Sequence, residues 1–247
     1  MCIRDRDSWD SGETFAAVKG GVEAHSHGHM DAGTFVFDAF GERWATELGV
    51  EEYGLNGYWN VESGRWQILR NRAEGHNTLI INPDGTGIDH TLYAHAPVTR
   101  FETKPKGVIT AVDMSDMLSA NAASAQRGYF LTDYRKSLVV RDEVELTGPS
   151  DLYWFMYTEA LEGEIDGDSV ILSKNGKKVR VDFVTNGRLT LYCEPAEPME
   201  GMPSVAGEKV NDAFRRIRAK VTGSGKVSIT AKITPVGVYA TDVSAYD

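Results

Sequence analysis

Residues 138–146 read LVVRDEVEL, a run in which apolar and charged side chains alternate. Val140 and Val144 share one parity, and Arg141 and Glu143 share the other. Successive side chains of a strand point to opposite faces, so this period of two predicts a strand with one buried and one solvated face. Helical periodicity is nearly absent from the rest of the sequence, and the chain is therefore predicted to be all-β.

Turn signals divide the sequence on both sides of this run into further short strands. The Asn-Gly pair at 175–176 is the strongest hairpin signal. Asp-Gly-Asp at 166–168 and Gly-Glu at 41–42 indicate further turns, and Pro-Asp-Gly at 83–85 ends the apolar run 76–82. Short strands between recurring turns are typical of stacked sheets. We expect a two-layer antiparallel β-sandwich.

The composition is that of an ordinary globular protein, with 41% hydrophobic and 25% charged residues in 247. No apolar run approaches the roughly 18 residues of a membrane span. The net charge of -10 argues against nucleic-acid binding. The same charge would repel a polyanion on average, so any site for an anionic polysaccharide must be locally basic. Two cysteines provide neither a disulfide framework nor a close metal-binding pair.

The chain is expected to divide into a short N-terminal segment and one large domain. Residues 1–17 contain no apolar signal-peptide core and are predicted to be a disordered or artefactual N-terminus. Residues 18–247 should form the sandwich, with a histidine-rich half at 18–100 that carries the chemistry and a sheet-building half at 101–247. The polar stretch 115–126 is compatible with either a short helix or an ordered loop.

The densest chemical signal is AHSHGHMDAGTF at residues 24–35, with three histidines spaced by two. On an extended segment His25, His27 and His29 would point to one side, which suits a metal or acid/base site better than a core. A solvated loop without function is the alternative. Glu47 on the following hairpin and His76 before the next strand complete a two-histidine, one-carboxylate set with His29. Such a set can hold zinc and leave one position open.

Three arginines, Arg65, Arg70 and Arg72, fall within eight residues just before His76. The planar guanidinium fork binds carboxylates and sulfates, so Arg70 and Arg72 are predicted to bind an anionic sugar. A strand edge with solvated charges is the alternative.

Four segments together resemble the heparinase II/III-like polysaccharide lyases, of the heparinase II and oligoalginate lyase type. They are SHGHMDAGTFVFDAFGERWATELG at 26–49, EEYGLNGYW at 51–59, RAEGHNTLII at 72–81 and DYRKSLVVRDEVEL at 133–146. The resemblance covers roughly residues 18–195. Its most specific parts are the His-x-His-x-Asp-x-Gly and Gly-His-Asn-Thr motifs.

The resemblance implies β-elimination from a uronic acid within an anionic polysaccharide or oligosaccharide. It assigns zinc to His29, Glu47 and His76, although the family often has Asp at the position of Glu47. It places His27 in the catalytic cleft, with Tyr58 as a second catalytic candidate and Tyr53 as a substrate-binding one. His25 matches no role in the family and is expected to be a loop histidine.

The resemblance also implies a partner domain and a cellular location. In the family an N-terminal α/α-toroid domain supplies the opposite wall of the cleft, so this chain is expected to be a fragment that is inactive alone. Such lyases are typically periplasmic or secreted. A cupin-like metal enzyme, and a carbohydrate-binding or structural sandwich without catalysis, are the competing interpretations, which metal content would separate.

Overall fold

Antiparallel strands dominate the computed structural model, which describes residues 2–6, 13–25 and 27–237. No α-helix occurs among these residues, and the only helical segments there are two single turns of 3-10 helix, Gly64–Gln67 and Ala73–Gly75. In chain order the strands are β1 Cys2–Arg6, β2 Phe15–Lys19, β3 Gly21–Val22, β4 Phe35–Ala39, β5 Glu42–Ala45, β6 Leu79–Ile81, β7 His95–Ala96, β8 Val98–Lys104, β9 Gly107–Asp113, β10 Ala122–Thr132, β11 Ser137–Leu146, β12 Ser150–Thr158, β13 Glu162–Asp166, β14 Ser169–Lys174, β15 Lys177–Thr185, β16 Arg188–Pro195, β17 Arg215–Gly223 and β18 Lys226–Pro235.

These strands form one large sheet and three smaller ones. The large sheet has eight strands in the order β13-β14-β15-β18-β11-β10-β9-β8. Two sheets have four strands each, in the orders β1-β2-β4-β5 and β16-β17-β12-β6, and β3 pairs with β7. Neighbouring strands are antiparallel, as in the β10–β11, β12–β17 and β4–β5 pairs. The prediction of an all-β antiparallel fold is confirmed.

The two four-stranded sheets meet where Thr46, just after β5, bridges to Tyr157 of β12. Together they face the eight-stranded sheet across one hydrophobic core. Phe37 of β4, Val140 of β11 and Trp154 of β12 are fully buried in this same cluster. Because the core gathers side chains from all three sheets, the chain forms the predicted two-layer β-sandwich.

Strand β11 shows how closely the alternating pattern predicts burial. Val140 and Val144 point into the core, whereas Glu143 and Glu145 are exposed. Val139 departs from the pattern, because it lies on the solvated parity and is fully buried. Asp142 is a charged residue on the buried parity and is only 1% exposed. Its carboxylate is held by a buried arginine described below.

The turns lie close to their predicted positions. Asn175 and Gly176 connect β14 to β15 with φ angles of 51° and 74°, the left-handed pair that a two-residue hairpin requires. The β4–β5 turn lies at Phe40-Gly41, with φ angles of 58° and 74°, one residue before its predicted place. The stretch 115–126, for which the sequence allowed either a short helix or a loop, forms turns at 115–121 and then continues into β10.

The N-terminal segment differs from the expectation of disorder. Strand β1 pairs with β2 through partners such as Ile3 and Val18, and Ile3 and Ala16 are buried in the common core. Burial of Ile3 against the core favours this pairing. Residues 1 and 7–12 of the predicted segment lie outside the described residues. Within the described ranges, no helix has the length and hydrophobicity needed to cross a membrane.

Candidate active site

The histidine loop between β3 and β4 does not run as an extended strand. Ala24 and His27 adopt left-handed φ angles of 58° and 63°, so the three histidines do not share one face, contrary to the prediction. His25 is exposed and lies over Gly28, where an added Cβ would be 2.8 Å from the imidazole. His27 points to an aromatic patch and His29 to His76. The loop therefore separates two exposed histidines, His25 and His27, from an inner one, His29.

His29, Glu47 and His76 do come together, although they are up to 47 residues apart in sequence. The imidazole centroids of His29 and His76 are 5.2 Å apart. Nδ1 of His76 contacts Oε2 of Glu47. The other oxygen of Glu47 accepts a hydrogen bond from the Thr34 hydroxyl. These side chains form a compact polar cluster, which we call the histidine pair site.

Burial and neighbouring charges shift the pKa values of the two histidines in this site in opposite directions. Burial lowers the pKa of His29 to about 3, and the neighbouring His76 acts in the same direction. His29 is therefore neutral at neutral pH and presents a lone pair. Burial alone would lower the pKa of His76, but the Glu47 carboxylate outweighs it and raises that pKa. Nε2 of His76 is buried and has no hydrogen-bond partner among the described residues.

The donor set of the histidine pair site suits zinc. Two imidazoles that share a tetrahedral zinc, at Zn–N distances of about 2.0–2.1 Å, have ring centroids roughly 5 Å apart. The observed 5.2 Å between His29 and His76 matches this separation. Within the described ranges, no three His, Cys, Asp or Glu side chains converge on one point. Glu47 would therefore have to rotate from its contact with His76 to act as the third ligand.

Asn77, the residue after His76, fills the junction between the two four-stranded sheets. Its Nδ2 donates to the backbone oxygens of Phe35 at 2.7 Å and Thr46 at 2.8 Å. Its Oδ1 accepts from the backbone N–H of Tyr157 at 2.6 Å. The side chain is fully buried, so the Asn of the Gly-His-Asn-Thr motif fixes the strand ends on which the histidine pair site depends.

Arg127 of β10, in the large sheet, binds the backbone of the same region. Its guanidinium is fully buried and makes two hydrogen bonds to Asp142, of 2.6 and 2.8 Å. Its third nitrogen, Nη1, donates to the backbone oxygens of Gly33 at 2.9 Å and Asn77 at 3.0 Å. Tyr129 adds a 2.6 Å hydrogen bond to the same Gly33 oxygen. The large sheet thus holds both the histidine loop and the Gly-His-Asn-Thr segment.

An aromatic patch lies around His27. Its ring is 4.9 Å from Trp59 and 5.7 Å from Tyr53, centroid to centroid, in edge-to-face contacts. Tyr53 is 49% and Trp59 51% exposed, whereas Tyr58 is only 2% exposed. Tyr58 packs behind them, 5.0 Å from Tyr53 and 5.1 Å from Trp59. We call His27, Tyr53, Tyr58 and Trp59 the aromatic patch.

The arginine cluster is not a surface patch, because all three side chains are buried. A role of Arg70 and Arg72 in binding sugar stays a prediction, and this burial does not favour it. Arg72 is fully buried and pairs with the buried Glu74 at 2.7 Å. Arg70 is 7% exposed and donates to Asn211 at 2.6 Å. Arg65 is fully buried. Charged groups without water need partners inside the protein. Arg70 and Arg72 have such partners, whereas Nη2 of Arg65 has no hydrogen-bond partner among the described residues.

Arg65 instead connects the histidine loop to the aromatic patch. Its Nε donates to the Gly28 oxygen at 2.9 Å, and its Nη1 donates to the Tyr58 oxygen at 2.8 Å. The guanidinium carbon lies 4.4 Å from the centre of the Tyr58 ring, a cation–π distance. Arg65 therefore sets the position of His27 relative to the tyrosines.

Four functional or supporting residues escaped sequence reasoning. Trp59 carries the largest exposed ring of the patch, and Asn77 and Arg127 hold the site in place. The fourth, His90, is buried against Glu23 at 2.9 Å, and Glu23 accepts the Ala32 N–H at 2.6 Å. Only Arg127 had a signal in the sequence. It and Asp142 are charged residues at positions that the alternation of two neighbouring strands predicts to be buried.

Comparison with known proteins identifies relatives in structure. The heparan sulfate lyase HepC from Pedobacter heparinus superposes with a TM-score of 0.73 at 16% identity, over 97% of this chain and 36% of that one. Heparinase III, the BT4657 gene product, gives 0.72 at 17% identity, over 95% and 35%. The chain thus spans about a third of the length of these solved lyases. No curated protein matches the sequence.

A further match shows that the sandwich also occurs as a nearly complete chain. HI1317 superposes with a TM-score of 0.51 at 7% identity, over 95% of this chain and 99% of that one. The model for the C-terminal domain of heparinase II/III-like proteins matches residues 7–230. The chain therefore belongs to the heparinase II/III-like family, and its β-sandwich corresponds to the C-terminal domain of that family.

Proposed function

We propose that this domain forms one wall of a cleft in which a uronic-acid-containing polysaccharide is cut by β-elimination. The observation that carries the proposal is the position of His27. It is exposed, lies at the centre of the aromatic patch and is two residues from His29 of the histidine pair site. Family membership favours a lyase over a cupin-like enzyme. Export to the periplasm or outside the cell is part of the proposal, supported by the family resemblance.

The site must perform three chemical functions in this reaction. The proton at C5 is weakly acidic because the adjacent carboxylate is already negative. Its removal leaves an electron pair that forms the C4=C5 double bond, while the C4–O bond breaks and its electrons stay on the leaving glycosidic oxygen, which takes up a proton. The site must neutralise the carboxylate, accept one proton and donate another.

His27 can neutralise the carboxylate or carry a proton, because an imidazole can both donate and accept a hydrogen bond through its two nitrogens. Tyr58 is the second proposed catalytic group, since a phenol can both donate and accept a proton. Its ring is fixed between Tyr53, Trp59 and Arg65. A packed ring with little freedom satisfies the demand that a catalytic group be held in a productive position.

Zinc is proposed at His29, Glu47 and His76. Bound there, the ion would tie the histidine loop to the start of β6 as a structural element. Support comes from the 5.2 Å separation of the His29 and His76 rings, from the neutral state of His29 and from the buried, unpartnered Nε2 of His76. His27 neighbours this centre without belonging to the donor set.

Zinc should bind to the purified chain at close to one equivalent, as measured by elemental analysis after dialysis. His76→Ala and His29→Ala should each lose most of it, because a tetrahedral site retains little affinity with one imidazole removed. Zinc should also raise the melting temperature, since it binds only the folded chain.

His95→Ala is the matched control, because His95 is exposed on β7 and outside the histidine pair site. It should retain the metal in full. A chain that takes up no zinc, or a His76→Ala variant that keeps all of it, would show that the histidine pair is held by hydrogen bonds alone.

The domain alone should be inactive, because a cleft needs two walls. The aromatic patch is open to solvent, and the chain covers about a third of the solved lyases that share its fold. We propose that a helical toroid domain supplies the opposite wall. Activity should appear as unsaturated uronate absorbance when the sandwich is joined to that domain and incubated with alginate, heparan or chondroitin. Full activity of the sandwich alone would contradict the proposal.

A further inference from the structure

Glu23 closes the base of the histidine loop. It follows β3, and its Oε1 accepts a hydrogen bond from the backbone N–H of Ala32 at 2.6 Å. The residues between these two include His25, His27 and His29. The Glu23 side chain is only 1% exposed, so water does not compete for this bond. The position of the loop therefore depends on where the Glu23 carboxylate is held.

His90 holds that carboxylate and connects it to β6. Its Nδ1 lies 2.9 Å from Oε2 of Glu23, and its Nε2 lies 2.9 Å from the backbone oxygen of Leu79. Strand β6 is at the edge of its sheet, and the imidazole covers that edge at Leu79. Leu79 comes three residues after His76. One buried ring thus joins the loop that carries His29 to the segment that carries His76.

Both ring nitrogens of His90 face oxygen atoms. A backbone carbonyl only accepts hydrogen bonds, and an ionised carboxylate does the same. A neutral imidazole has one N–H and one lone pair, so its lone pair would lie against an oxygen. The doubly protonated ring donates to both partners instead. The His90 side chain is fully buried, and a buried charge needs such partners.

Two carboxyl groups act on the charge of His90, from Glu23 and from the preceding residue, Asp89. Burial alone would lower the pKa of His90, but the Glu23 carboxylate, with the Leu79 oxygen and Asp89, outweighs it and raises that pKa. Burial raises the pKa of Asp89 to about 6, so this group is mostly ionised at neutral pH and favours the imidazolium. Both oxygens of Asp89 are buried and lack a hydrogen-bond partner among the described residues.

We propose that His90 is a positioning residue, a buried imidazolium that fixes the histidine loop to β6 through Glu23. Loss of one ring proton leaves a lone pair against an oxygen and favours opening of the loop. A histidine whose pKa is raised by folding contributes stability that is complete below the unfolded value, about 6.5, and is lost as the pH rises through the folded value. The loop should therefore be held at neutral pH and loosen under alkaline conditions.

Nitrogen-15 NMR of the imidazoles tests the charge of His90. At neutral pH the wild-type signals, assigned by their absence from His90→Gln, should show protons on both ring nitrogens. Glu23→Gln should show one ring proton, because its amide can accept from Ala32 and donate to Nδ1, and a neutral ring then keeps every contact. A single ring proton in the wild type would place the other proton on Glu23 and overturn the proposal.

Hydrogen exchange of the loop amides, 24–32, tests whether this charge positions the loop. With a chelator present, so that metal does not contribute, the protection factor of the wild type should fall by up to about tenfold per pH unit above about pH 6.5. The Glu23→Gln loop should change much less over the same range. His90→Gln can still donate to Leu79 but offers Glu23 no charge, so it should lower the protection at neutral pH at least about tenfold.

His95→Gln is the matched control, because His95 is exposed and lies on β7, the strand that pairs with β3. It should leave the protection of the loop unchanged. A wild-type pH profile equal to that of Glu23→Gln, or a His90→Gln loop as protected as the wild type, would overturn the proposal. If His90→Gln does not fold, the comparison of wild type with Glu23→Gln decides alone. Neither measurement needs zinc or catalysis, so failure of the bridge would leave the proposed function standing.

Discussion

Arg127→Met should destabilise the sandwich by about 3–5 kcal/mol, the cost of leaving one partner of a buried ion pair alone. Asp142 is 1% exposed and receives two hydrogen bonds from Arg127. Methionine fills the space but supplies no donor, so the carboxylate must be buried as a charge or take up a proton. The oxygens of Gly33 and Asn77 lose a donor as well. Urea unfolding should show a lower midpoint with an unchanged slope.

Two further variants isolate the cause of this loss. Arg100→Met removes a pair of the same kind from the surface, where Arg100 and Glu102 have side chains 48% and 43% exposed. It should change stability far less than Arg127→Met, because solvent screens an exposed ion pair. Adding Asp142→Leu to Arg127→Met removes the orphaned charge and should recover part of the stability. If Arg127→Met lowers the free energy of unfolding no more than Arg100→Met does, the hydrogen bonds of Arg127 to Asp142, Gly33 and Asn77 do not stabilise the sandwich as described.

His27→Ala in the joined enzyme should lower kcat/KM by about 10²–10⁴-fold, the range expected for loss of a group that transfers or stabilises charge in the transition state. The zinc content should not change, because His27 lies beside the metal donors and outside their set. The result follows from the position of His27 in the aromatic patch, against Trp59 and Tyr53, where we propose that the uronate carboxylate lies.

The backbone of His27 requires a second variant. Its φ of 63° is left-handed, and alanine tolerates that conformation less well than asparagine. His27→Asn should therefore keep the loop and still lose the activity, since an amide does not titrate. A variant that melts like the wild type, keeps its zinc and retains full activity would remove His27 from the mechanism.

The architecture was accessible from sequence because its signals are local. Alternation in β11 and the Asn-Gly turn at 175–176 each depend on neighbouring residues, and both predict the observed strands and turns. The spacing and residue types of the two histidine motifs also identified the residues that meet in the histidine pair site. Zinc at that site stays a prediction.

The remaining features depend on long-range packing. Arg127 acts on Gly33, 94 residues away in sequence, and no local pattern encodes that contact. Arg70 and Arg72 look like part of a basic surface in the sequence. In the structure they are buried, with Asn211, Glu51 and Glu74 as partners. The prediction of an extended histidine loop was wrong because Ala24 and His27 adopt left-handed backbone angles. Gly or Asn at these positions would have indicated such angles in the sequence, but Ala and His do not.

The reaction class is tested most directly by the mass of the products that the joined enzyme releases from a uronate polysaccharide. Elimination leaves a C4=C5 double bond at the new non-reducing end, so each such fragment should be lighter by one water than the corresponding hydrolysis fragment. We expect this unsaturated series with the wild type and its near absence with His27→Asn. Products that are all saturated, with no fragment of the unsaturated series, would contradict β-elimination and with it the proposed function of the domain.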